Sequence, residues 1–367
     1  MGLPVGRGRT LTLEKRGYTS RPVLICNPVV SVALALLLGS AFLLATGKNP
    51  VEIYSTMLSG AFANSYGLSE TIVKAIPLLL CGLAVSIAFR MQLWNIGAEG
   101  QFTCGAIAAT WVALFHNSGS KLTVLGLMLL AGFVAGGIWG LLPAIPRALF
   151  KVNETITTLM LNYVAILFGN FLVYGPWKDP KGYNFPLTAV FPVQATLPSF
   201  GSTRIHLGLV FGLVTAVTLY IMLWHTKWGY EIRVIGESPV TAKYGGMSIV
   251  KNILLVMLIS GGIAGIAGMA EVSGINQRLQ PNFAPGYGYT AIIVAWLARL
   301  NPFAMIVVSF LLGGLLVGGY NMQSVGLPSA VVSMLQGSIL FFVLGGEILT
   351  RYRIKIRDRS GKGVATK

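Results

Sequence analysis

Charge is what this sequence has least of. Only 10% of its 367 residues are Asp, Glu, Lys or Arg, against about 25% in an average soluble domain. So few charges cannot cover a water-facing surface. With 54% of the chain apolar, most of its exterior must meet lipid. Carboxylates are scarcest, 11 in all, and most fall in loops or tails. Cysteine and histidine number 3 each. Cys26, Cys81 and Cys104 lie in or beside apolar runs, odd in number and without metal spacing. They read as small packing residues, not disulfides or metal ligands. His116, His206 and His225 sit near span ends and suggest no catalytic group. There is no Gly-x-x-x-x-Gly-Lys-(Ser/Thr) loop, so the chain does not bind ATP in that way. No His-Glu-x-x-His and no nucleophile elbow occurs, so no catalytic set of those kinds is expected.

What remains is glycine, 45 residues of it, as close helix packing in a membrane requires. The net charge of +16 invites a nucleic-acid reading, but the positions of the basic residues oppose it. Arg7, Arg9, Lys15, Arg16 and Arg21 precede the first apolar run, and Arg351, Arg353, Lys355, Arg357 and Arg359 follow the last. Basic residues flanking spans mark the cytoplasmic side, and no basic-aromatic recognition module is visible. The lipid bilayer is the expected partner, and nucleic acid is not.

The apolar runs fall at 28–45, 72–89, 96–115, 122–145, 156–174, 205–224, 253–272, 287–298, 302–319 and 327–344. That makes an all-α, polytopic membrane bundle of about ten segments with both termini cytoplasmic. The expected division is a basic N-terminal segment, 1–27, a transmembrane domain, 28–347, and a basic tail, 348–367. The run 287–298 is short, since twelve residues at about 1.5 Å each do not cross a bilayer. It is either a short span or a re-entrant helix. The stretches 47–70, 175–204 and 274–286 are expected outside. The second of these carries Pro176, Pro180, Pro186, Pro192 and Pro198, which argue against a continuous helix. Gly132, Gly136 and Gly140 recur every four residues, and Gly261 and Gly265 share a face. Both are small-residue packing patterns.

The longest polar island is 226–251, with Lys227, Glu231, Arg233, Glu237, Lys243 and Lys251. Ser238 suits an N-cap, Pro239 the first helical position, and Gly245 with Gly246 a stop. The implied helix, 239–244, is marginal alone in water and calls for a surface to rest on. Ala242 is small enough to lie against that surface. Inside the spans the notable polar run is Trp94-Asn95-Ile96-Gly97-Ala98-Glu99-Gly100-Gln101, followed later by Asn162. Intramembrane polar groups face either a neighbouring helix or a pathway. Both readings stand for Asn95, Glu99, Gln101 and Asn162. Trp94, Tyr163, Tyr287, Tyr289 and Trp296 are either packing residues and interfacial anchors or faces on which a ring stacks.

Several of these runs together resemble one family. Gly236-Glu237-Ser238-Pro239 with Ala242, Tyr244 and Gly245 is similar to the coupling loop of ABC-transporter permeases that import simple sugars, nucleosides or branched-chain amino acids. Asn95-Ile96-Gly97-Ala98-Glu99-Gly100-Gln101 resembles that family's Asn-Ile-Gly-x-Glu-Gly-Gln signature. Asn153-Glu154-Thr155-Ile156 with Leu161-Asn162-Tyr163, and the segment 286–302, are most similar to its nucleoside-type branch. Trp296 and Ala298 depart from the pattern, standing where a Leu and a Gly are usual. The resemblance runs from about Arg90 to Pro302, most of the membrane body. It implies a non-enzymatic, multi-pass subunit of a bacterial cytoplasmic (inner) membrane importer, with no cofactor and no metal. A nucleoside or simple sugar would be the cargo. Its partners would be a second permease, identical or related, two cytoplasmic ATPase subunits and an extracytoplasmic substrate-binding protein. It also implies that Gly236, Glu237, Ser238, Pro239, Ala242, Tyr244 and Gly245 contact the ATPase, and that Asn95, Glu99, Gln101 and Asn162 belong to the substrate pathway. The rival from another class is an ion-coupled secondary transporter for a small polar solute, with Glu99 and Lys74 as its charged pair.

Overall fold

The computed structural model describes residues 3–4, 9–15, 21–116, 119–324 and 326–358. Arg7, Arg16 and Arg359 of the basic clusters, and the first half of the turn expected at 117–120, lie outside them. The helices are α1 (Arg21–Ala45), α2 (Pro50–Phe62), α3 (Ser65–Arg90), α4 (Ala98–Phe115), α5 (Lys121–Phe150), α6 (Glu154–Tyr174), α7 (Gly208–His225), α8 (Lys227–Glu237), α9 (Pro239–Tyr244), α10 (Ile249–Glu271), α11 (Tyr287–Leu297), α12 (Pro302–Ser324) and α13 (Ala330–Arg351). Among the described residues, 7 helices are long and apolar enough to cross a membrane; Tyr287–Leu297 and Ala330–Gly346 are shorter apolar helices. The chain is a multi-pass helical membrane protein.

Three elements depart from the sequence reading. The stretch 47–70 is not a mixed connection: it holds α2 and the first turn of α3, started by Asn64, whose Oδ1 accepts the Gly67 N–H at 2.6 Å. The polar island contains two helices, α8 and α9, rather than one. The chain after α10 does not open directly into a loop; it runs through a π-helical turn, Val272–Asn276.

The chain divides into two compact units, and each is described by itself. One comprises 1–50 and 330–367. In it α1 packs along α13, and the Ser31 hydroxyl donates to the Asn27 and Phe342 carbonyls at 2.8 and 3.1 Å. Strands β1 (Leu3–Pro4), β2 (Arg9–Lys15) and β3 (Tyr352–Asp358) form an antiparallel sheet in that order, with Arg9 opposite Asp358 and Lys15 opposite Tyr352. The sequence reading foresaw no strand there.

The other unit, 51–329, is built on α3 and α10. Neither has a separate polar face and most of each is buried, as a helix that is largely apolar all round requires. Helix α3 packs on α11 and α12, and α10 packs on α4 and α5. The glycine stripes explain how α10 comes so close. Gly136 meets Gly261, Gly132 and Gly136 meet Gly265, and Gly105 of α4 meets Gly265 from the other side. A Cβ at Gly105, Gly136, Gly261 or Gly265 would fall on backbone atoms, and one at Gly132 would crowd the Met269 Cβ and the Gly265 carbonyl, so van der Waals packing between bare backbones holds the three helices together.

The proline-rich stretch before α7 holds only one short 3-10 turn, Val193–Ala195. It is pinned to the chain after α10: the Thr188, Phe191 and Leu197 N–H groups donate to the Leu279, Gln277 and Ser273 carbonyls. His206 ends the stretch, fully buried, with its Nδ1 accepting the Gly208 N–H at 3.2 Å. Burial, assisted by nearby Arg204, pushes its pKa down to about 4, so the ring is neutral at pH 7.

Candidate functional site

Two short helices meet end to end inside the larger unit. The first residues of α4 lie against the first residues of α11, with Gly288 seated on the Glu99 backbone. Each helix N-terminus carries unpaired N–H groups and a partial positive charge. Two such ends brought together repel unless acceptors lie between them. Glu99 is the main acceptor. One of its carboxylate oxygens accepts the Gly286 N–H at 2.6 Å, and the other accepts the Gly288 N–H at 2.5 Å. Asn162, reaching over from α6, serves the α4 end. Its Oδ1 accepts the Gly100 N–H at 2.8 Å, and its Nδ2 donates to the Ile96 carbonyl at 2.9 Å and the Tyr289 hydroxyl at 3.2 Å.

Asn95 and Gln101 complete the cluster. Their amides exchange two hydrogen bonds, each 3.1 Å. The Asn95 Nδ2 also donates to the Ser260 hydroxyl at 2.9 Å, and that hydroxyl donates to the Ala84 carbonyl at 2.6 Å. The four intramembrane residues singled out from the sequence are therefore one assembly. They are 0–1% exposed, and each side chain faces a partner in the same chain rather than open space.

The polar island is the second region. The Ser238 hydroxyl accepts the Thr241 N–H at 3.2 Å, so Ser238 is the N-cap of α9, with Pro239 as its first residue. Of the two glycines expected to stop the helix, Gly246 is left-handed (φ +74°) and Gly245 is not. Ala242 does not face outward as expected. It is fully buried, while Val240 and Tyr244 are 66% and 90% exposed. The apolar side chains offered outward are thus the large ones.

Helix α8 holds this arm in place. Gly236 sits on the Arg90 carbonyl at the end of α3 and Gly229 on the backbone of Met222 and Leu223, contacts that a Cβ would block. The Trp228 indole N–H donates to Asn252 Oδ1 at 2.7 Å, and Asn252 Nδ2 donates to Glu231 at 2.7 Å. The arm is thereby tied to both buried central helices, α3 and α10.

A family model described as the permease component of the branched-chain amino acid transport system matches residues 67–344. A glucose ABC transporter permease protein of Haloferax volcanii is 37% identical over 348 residues, which cover 91% of each chain. A guanosine ABC transporter permease protein of Bacillus subtilis is 35% identical over 324 residues, 86% of this chain and 92% of that one. This chain belongs to the ABC transporter permease family. A second guanosine permease protein of Bacillus subtilis is 26% identical over 238 residues, 63% of this chain and 75% of that one. Two different permease proteins of one organism are thus both named for guanosine.

The permease is a transport protein and not an enzyme. Several residues that hold its geometry went unmarked in the sequence. Ser260 and Asn252 are scattered polar residues of a mostly apolar helix, and their partners, 165 and 24 residues away in the chain, give them a role. Lys74, paired with Glu99 in the ion-coupled rival, instead donates to the Tyr287 hydroxyl at 2.9 Å and lies 4.0 Å from Glu271. Trp296, which departs from the family pattern, packs against Phe89 and Trp94 with ring centroids 5.8 Å from each.

Proposed function

We propose that the permease forms one half of a membrane pathway that imports a nucleoside or a simple sugar, driven by separate ATPase subunits that dock on α9. A second permease, identical or related, supplies the other half, and an extracytoplasmic binding protein delivers the cargo. The observation that carries this reading is the short capped helix Pro239–Tyr244, which presents Val240 and Tyr244 outward while α8 ties it to α3 and α10. A six-residue helix has little stability of its own, so exposed apolar side chains on such a helix call for a partner groove. Motion of that partner is passed through Gly236 to α3 and through Asn252 to α10. The pair of guanosine permeases in one organism supports a related second permease, and the glucose and guanosine relatives support the cargo class. Gly236, Glu237, Ser238, Pro239, Tyr244 and Gly245 belong to the coupling arm, and buried Ala242 seats it. Asn95, Glu99, Gln101 and Asn162 serve the pathway by holding the ends of α4 and α11 beside it.

The test replaces both outward side chains, Val240→Glu with Tyr244→Glu. Insertion into the membrane should be unchanged, while ATPase co-purification and uptake both fall at least about tenfold, the loss of two apolar contacts worth ~1.5 kcal/mol or more each. Wild-type values for both measurements would remove α9 as the contact.

Both termini belong on the cytoplasmic side in this reading, because basic residues crowd both ends of the membrane domain. Reporter fusions at Lys367 and within 175–204 should report opposite faces of the membrane. Reports from the same face would refute this topology.

A further inference from the structure

Four ionisable side chains outside the assignments above form a ladder of alternating charge. Glu70 and Lys74 lie one turn apart on α3. Arg204 donates to both Glu70 oxygens, each at 3.1 Å. Lys74 donates to the Tyr287 hydroxyl at 2.9 Å and stands 4.0 Å from Glu271 Oε1, and the Tyr287 hydroxyl donates to that oxygen at 3.4 Å. Glu271 is 4% exposed, yet its Oε2 has no hydrogen-bond partner among the described residues.

That vacant acceptor sets Glu271 apart from the other carboxylates buried in the same unit. Glu99 is filled by two backbone N–H groups. Glu154 is paired with Arg147 at 3.1 Å and accepts the Trp94 N–H at 3.3 Å. A buried carboxylate oxygen without a donor is costly, and intramembrane ionisable groups are usually functional. The backbone is irregular on both sides of the cluster. Helix α10 breaks into its π-helical turn directly after Glu271, and α11 begins at Tyr287 and spans only 11 residues. Interrupted helices mark solute sites in other transporters, and π-helical turns gather at functional sites. The Lys74 side chain remains 18% exposed, so the cluster meets its surroundings through Lys74, with Glu271 and Tyr287 buried behind it.

We propose that Lys74, Glu271 and Tyr287 form a solute-binding site that grips adjacent hydroxyl groups of a sugar ring. Glu271 Oε2 accepts from one hydroxyl. The Lys74 ammonium, with three donors and few partners, donates to the neighbouring oxygen. Adjacent ring hydroxyls are common to a free sugar and to the ribose of a nucleoside, so the inference rests on the cargo reading given above.

The experiment uses the complete transporter, with both permeases, the ATPases and the binding protein, in liposomes supplied with ATP. Uptake of guanosine and of glucose is measured separately, and the arm that responds identifies the source of the hydroxyls. Glu271→Gln and Tyr287→Phe should each lower uptake about tenfold or more, as loss of a hydrogen bond to a charged group does. Assembly and melting temperature should stay near wild type. Tyr287→Phe removes a single oxygen and serves if Glu271→Gln fails to assemble. The neutral pair Lys74→Met with Glu271→Gln decides between binding and mere structure: it should assemble and still fail to transport. Restored uptake by the neutral pair, or normal uptake by the single variants, would overturn the site. Uptake of neither solute by the wild type would refute the cargo reading itself, and this inference with it.

Discussion

Gly265→Leu should remove the permease from the membrane altogether. Gly265 is where α10 is pressed between α4 and α5. A Cβ there would meet the Gly132 carbonyl and the Gly136 Cα, and Gly105 closes in from the other helix. Overpacking usually costs about 1–3 kcal/mol, because neighbouring side chains can shift. Here the obstacles are backbone atoms of α4 and α5, and relief would require whole helices to separate. The check is the amount of intact, monodisperse protein recovered in mild detergent, compared with Gly126→Leu. Nothing lies within 4 Å of a Cβ built at Gly126, so that control should be recovered in full. Equal recovery of both variants would mean that α4, α5 and α10 do not cross at bare backbone.

The second large effect is expected at Glu99. Alanine there strips the acceptors from two N–H groups at the start of α11, the buried one of Gly288 and the part-buried one of Gly286, a buried group costing about 1–3 kcal/mol when left unpaired. It also removes the negative charge between two helix ends of like sign. Glu99→Ala should therefore lower the melting temperature and abolish transport together. Glu99→Gln, which keeps one acceptor of the same shape, should fall between it and wild type. The measurement is thermal unfolding in detergent alongside uptake in liposomes. If Glu99→Ala melts like wild type but fails to transport, the residue serves the solute directly; if it does both normally, it serves neither purpose.

These two sites differ in how far the sequence revealed them. Gly132, Gly136, Gly140, Gly261 and Gly265 announce a close contact by their spacing, because a four-residue repeat stays on one helix face. That Gly105 joins the same contact is not visible, since it has no periodic companion on α4. Glu99 was conspicuous as a carboxylate in an apolar run, but its partners are main-chain N–H groups 187 and 189 residues away. Backbone donors carry no side-chain signature, and the choice between network and pathway stayed open. The short run 287–298 and the capped helix 239–244 were legible from length and from Ser238 and Pro239. Helix α8 left a trace in Trp228, Ile232 and Ile235 at helical spacing, masked by the charges among them. The fate of Ala242 was misjudged for a physical reason. A small residue on a two-turn helix suits an external groove and an internal seat equally well, and only packing decides which.

The junction between α4 and α11 also bears on how the permease is made. Glu99 leaves the ribosome well before Gly286 and Gly288. At about 5–20 residues per second, the delay is on the order of 10–40 s. Throughout that interval the Glu99 carboxylate lacks its two N–H donors and must be hydrated or take its hydrogen bonds elsewhere. The junction at the start of α4 is therefore closed late, only once Gly286 and Gly288 have been made.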